Sequence, residues 1–124
     1  MRAAIASVAT GIGLSSLLTA AGYGAPAAAK LSPSDIQTTF FNGQVFVAAT
    51  PSNVKYKMTF MSDGRMRREP ASGGTKAEGT WRLSKDGFCR TWTGGKENCF
   101  TIVSAGDNKW SVLKGSTIMA TWSK

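Results

Sequence analysis

Residues 54–69 read VKYKMTFMSDGRMRRE, and this stretch decides the fold. Val54, Tyr56, Met58 and Phe60 alternate with Lys55, Lys57 and Thr59, the period of two expected of a strand with one buried face. Ser62-Asp63-Gly64 then reads as a three-residue hairpin loop with Gly64 in the left-handed bulge position. That loop sets Phe60 opposite Met66 and Lys57 opposite Glu69. Val54, Tyr56, Met58 and Phe60 then line the core, while Lys55, Lys57, Thr59, Arg65 and Arg67 face water. Arg68 breaks the pattern by pointing inward opposite Met58. A buried arginine must be paired or hydrogen-bonded. The simpler reading of Arg68 is a rim residue reaching solvent, and the other is a contact for an anionic group in a barrel mouth.

The same texture continues to the end of the chain. Eight strand-like runs, at 44–49, 54–61, 65–69, 77–83, 88–92, 96–103, 109–113 and 116–122, alternate with turn-rich joints. Joints this short let neighbours pair only antiparallel, because parallel strands need long crossovers. The expected fold is mainly β, a small eight-stranded antiparallel meander barrel. Closure would remove the edge strands and leave an interior that side chains fill or that holds one small ligand. Before the first run, Ser32-Pro33-Ser34-Asp35 reads as a helix start, with Ser32 as N-cap and Pro33 at the first helical position. Ile36, Phe40 and Phe41 give this short N-terminal helix its apolar side, and Asn42-Gly43 ends it.

Further upstream, residues 1–29 read as an export signal. Met1-Arg2 is a positive n-region, residues 3–18 an apolar h-region, and Ala27 and Ala29 each end an A-x-A cleavage site. The expected mature molecule is one β-barrel-like domain, residues 30–124, in the periplasm or outside the cell. No later stretch approaches the roughly 18 apolar residues that a membrane span needs.

Export also bears on the two cysteines, since an oxidising compartment turns a lone pair of thiols into a disulfide. Cys89 and Cys99 are separated too widely for a C-x-x-C redox pair. A bond between them would close a loop of about 11 residues and stabilise the domain by about 3 kcal/mol on the chain-entropy account. It requires Cys89 to oppose Cys99, Phe88 to oppose Phe100 and Thr91 to oppose Glu97. The aromatic pair then faces the core and the sulfurs the outside.

The chain carries 15 Lys plus Arg against 7 Asp plus Glu; without Arg2 the balance is 14 against 7, a net +7. Such a charge attracts anionic partners or serves solubility alone. The basic residues are scattered, so nucleic acid is not expected. Lys55, Lys57, Arg65, Arg67 and Arg68 are the candidate anion-binding residues. The expected partner is an anionic envelope component or a small apolar ligand.

The turn Phe60-Met61-Ser62-Asp63-Gly64, the strand Gly79-Thr80-Trp81, the run Phe88-Cys89-Arg90-Thr91-Trp92 and Asn98-Cys99-Phe100 together resemble small exported proteobacterial proteins of the DUF995 type. The likeness covers nearly all of residues 44–122. It implies a calycin-like β-domain outside the cytoplasm and carries no activity with it. Gly79-Thr80-Trp81 also looks like the Gly-x-Trp element of lipocalins and biotin-binding barrels, where the tryptophan plugs one barrel end, although here it falls in the fourth strand. Trp81 and Trp92 are therefore candidate core or ligand aromatics.

There is no histidine, which removes the commonest general base and most zinc sites. Asp35, Asp63, Asp86 and Asp107 belong to the cap and turns. Among strand residues only Glu78 and Glu97 could be nominated as a glycosidase-like pair, and both are expected to face solvent. No catalytic, metal or cofactor motif is present, so the chain is read as a non-enzyme without cofactor. It is expected to be a binding or envelope-accessory domain with a basic outer face. The alternative is an inhibitor of an exported hydrolase acting through the loop at residues 70–76.

Overall fold

The computed structural model describes residues 29–124; residues 1–28 of the expected leader, with the cleavage site at Ala27, lie outside them. One helix, α1 (Pro33–Phe40), precedes eight strands: β1 (Val45–Ala49), β2 (Lys55–Phe60), β3 (Arg65–Pro70), β4 (Ala77–Leu83), β5 (Phe88–Trp92), β6 (Glu97–Gly106), β7 (Lys109–Lys114) and β8 (Thr117–Ser123). Each strand pairs antiparallel with the next, and β8 returns to β1, closing the barrel. Phe60 lies opposite Met66 and Lys57 opposite Glu69, with Gly64 at φ 96° in the turn. The second hairpin holds the register Phe88–Phe100, Cys89–Cys99 and Thr91–Glu97. Among the described residues no helix is long and apolar enough to cross a membrane.

The helix forms where its cap demands it. Ser32 Oγ accepts from the Asp35 N–H at 3.1 Å, satisfying one of the orphan donors of the first turn. Gly43, at φ 86°, lets the chain turn away, and its N–H donates to the Phe60 carbonyl at 2.9 Å. Ile36 and Phe40 are fully buried and Phe41 nearly so. Phe40 meets Phe46, Trp110 and Trp122 edge-on at 4.9–5.1 Å between ring centres, while Phe41 stacks on Phe60 at 4.4 Å. The helix thus plugs the barrel end where the β2–β3 turn lies. Lys124 Nζ donates to the Thr39 carbonyl at 2.7 Å, which satisfies an acceptor at the helix C-terminus.

Four particulars depart from the alternation read in the sequence. Val54 precedes β2 at the rim and is 48% exposed. Thr59 sits on the outer face yet is buried, because it lies in register between Val45 and Arg67. Cys89 is also on the outer face and buried, since the Arg82–Glu97 ion pair joins the strands on either side of it. The fourth is β6, which continues to Gly106. Its outer half runs past β5 and is covered instead by residues 29–31: the Leu31 N–H donates to the Ile102 carbonyl at 2.8 Å, and the Ser104 N–H to that of Ala29 at 3.4 Å. A pairing edge that would otherwise invite another chain is thereby occupied.

Candidate binding site at the barrel mouth

With α1 at one end, the barrel opens at the other, ringed by the β1–β2, β3–β4, β5–β6 and β7–β8 connections. Just inside lies a cavity of about 100 Å³. Phe88, Phe100 and Trp122 contribute aromatic surface to it, and Ala48 and Ala120 are small enough to leave it open. Two arginines also line it. Arg68 sits two residues before the end of β3 and Arg90 two before the end of β5, so both fall near the open rim.

Aromatic faces hold these guanidiniums in place. The Arg68 guanidinium carbon lies 4.6 Å from the ring centres of both Tyr56 and Trp92. Arg90 lies 5.2 Å from that of Trp92 and 4.8 Å from that of Phe100. Cation–π contacts of this kind contribute about 0.5–2 kcal/mol each, depending on desolvation. They orient the charges without neutralising them. Among the described residues neither guanidinium has a carboxylate partner or a side-chain hydrogen bond, and no acid lines the cavity. Burial, and secondarily the like charge of Arg68, push the Arg90 guanidinium down from its ordinary value to about 10. Arg90 therefore remains charged at neutral pH in a place that disfavours charge.

The outer face is electrostatically different. Lys55, Lys57, Arg65 and Arg67 are all exposed there, on the opposite side of the sheet from Arg68. Arg65 pairs with Asp63 at 2.9 Å, Lys57 lies opposite Glu69, and Arg67 lies opposite Glu78. Acids thus sit beside three of the four cations. The Asp63 carboxyl is held below its ordinary value, chiefly because the Arg65 backbone N–H donates to it. Of the candidate anion-binding residues, the fold separates Arg68 from the rest and brings it to Arg90.

Arg90 was legible in principle. Phe88, Arg90 and Trp92 share one face of β5 by the period of two, so the inward placement of Phe88 implies that of Arg90. Trp81 is a plug aromatic: its ring packs on Phe41 at 4.4 Å, and its indole N–H donates to the Met61 carbonyl at 2.8 Å. Two residues earlier, a Cβ on Gly79 would strike the Thr91 carbonyl of the neighbouring strand. That close approach is the physical content of Gly79-Thr80-Trp81. Trp92 instead belongs to the mouth. Glu97 is engaged by Arg82 through two bonds of 2.8 and 2.9 Å, which hold its carboxyl below the ordinary value. The cysteines near Glu97 are joined to each other, Cα–Cα 3.9 Å, and are not available as metal ligands.

Against known proteins, the chain has no significant match to a family model, a curated protein or a solved structure.

Proposed function

We propose that this is a noncatalytic binding domain of the exported compartment that receives an anionic group at its barrel mouth. One observation carries the reading: two inward arginines, stacked on a shared tryptophan and lacking a counter-charge among the described residues, line an otherwise aromatic and aliphatic cavity. Holding an uncompensated charge partly out of water costs stability, and a ligand oxyanion would supply the missing partner. The disulfide and the resemblance to small exported proteins support the compartment. Lys55, Lys57, Arg65 and Arg67 then act at longer range, drawing an anionic partner toward the molecule.

The test is native mass spectrometry of protein recovered from its own envelope, compared with Arg90→Met recovered in the same way. A small acidic ligand retained by the wild type and lost from the variant is the expected result. Bare polypeptide in both, or an equal ligand load in both, refutes the mouth as the binding place. The inhibitor reading draws less support. The β3–β4 loop is exposed and carries Gly73 and Gly74 at φ 87° and 138°, so inserting it into an enzyme cleft would sacrifice considerable chain entropy.

A further inference from the structure

The size of the cavity limits what can enter. Ordinary ligand pockets run to about 300–1,000 Å³, whereas this one measures about 100 Å³. A space below the ordinary range favours the end group of a ligand over a whole lipid chain or cofactor. Charge selects among end groups. A carboxylate brings one negative charge to two guanidiniums and leaves a net positive charge even where its two oxygens bridge them. A phosphate monoester carries about −1.5 to −2 and three acceptor oxygens, and guanidinium forks bind such oxygens in pairs.

Taking the mouth to be a binding site, as proposed above, we infer that its ligand is a terminal phosphate monoester, held at its dianionic end by Arg68 and Arg90. The remainder of the molecule stays outside the barrel. Trp92 fixes the spacing of the two guanidiniums by stacking against both. The small side chain of Ala120, on the cavity wall, keeps the seat open. Because the second phosphate proton leaves near pH 6, binding strengthens from about pH 5 to about pH 7.5.

Intrinsic tryptophan fluorescence, with Trp122 on the cavity wall and Trp92 against both guanidiniums as reporters, follows titrations of the protein with inorganic phosphate, glycerol 3-phosphate, acetate and chloride at constant ionic strength. The expected result is a saturable response to the two phosphates that tightens across that pH range. Arg68→Met and Arg90→Met weaken it by about tenfold or more, as losing one charge-assisted contact implies. Ala120→Leu abolishes it with both charges retained. Co-sedimentation with vesicles of phosphatidic acid, against phosphatidylglycerol, separates the sources of the group. Selective sedimentation with phosphatidic acid assigns a membrane-borne monoester, and its absence beside a soluble response assigns a free one. Acetate binding as tightly as phosphate overturns the phosphate assignment while leaving the mouth as a binding site. No saturable response to any of the anions, or a response unchanged in all three variants, overturns both.

Discussion

Replacing Arg90 by methionine, a side chain of similar length without the charge, should leave the folded protein about as stable as before. The opposing magnitudes can be worked out. At about 1.4 kcal/mol per pH unit, the fall of the Arg90 guanidinium to about 10 sets its charged form back by about 3 kcal/mol. Because Arg90 is only half-buried, solvent screening reduces that to about 1–2 kcal/mol. Methionine removes this penalty and also forfeits the contacts with Trp92 and Phe100, worth together about 1–2 kcal/mol. The two nearly cancel, whereas truncating an apolar side chain in a core costs about 2–5 kcal/mol. Urea unfolding at low salt is the assay, run as a double-mutant cycle with Arg68→Met. The like charges should appear as a coupling on the order of 1 kcal/mol that shrinks as sodium chloride is raised. Removing one arginine relieves the repulsion, and removing the second adds little. A loss of more than about 2 kcal/mol in Arg90→Met alone would refute the reasoning, because it would mean that the guanidinium makes structural bonds instead of waiting for a ligand.

Phe40→Ala should cost about 3–5 kcal/mol in urea unfolding, since the ring is fully buried among three aromatic neighbours; a loss under 1 kcal/mol would mean that α1 is dispensable as a plug. Replacing Cys89 and Cys99 together by alanine should remove about 3 kcal/mol while preserving the near-ultraviolet circular dichroism of the tryptophans, because strand pairing holds the same register. Glu97 has a folded pKa below its ordinary 4.5, so its contribution to stability is present above that value and lost as pH falls through the lower, folded one. The stability gap between the wild type and Glu97→Gln should accordingly be open at neutral pH and close on acidification below about 4.5; a pH-independent gap would count against the Arg82 pairing as its source.

Much of the architecture was local information. The period of two in Val54 to Phe60, the loop Ser62-Asp63-Gly64 and the short joints specified antiparallel neighbours and register, because side-chain direction in a strand depends only on parity and turn length. The cap at Ser32 was equally local. The end of β6 was less legible: its run past β5 is sustained by residues 29–31, which contact it from far away in sequence. The burial of Thr59 and Cys89 likewise depends on side chains of adjacent strands reaching across them, which parity cannot express.

The sequence by itself determined eight antiparallel strands, the pairing of Cys89 with Cys99, a capped helix and the inward direction of Arg68. Only the tertiary structure decided that α1 closes one end and leaves the other open, that Arg90 and Trp92 meet Arg68 there, and that Arg67 lies opposite Glu78. The physical reason is that direction along a strand is set by neighbouring residues, whereas a cavity and a shared aromatic face exist only once closure brings β3, β5 and β8 around one lumen.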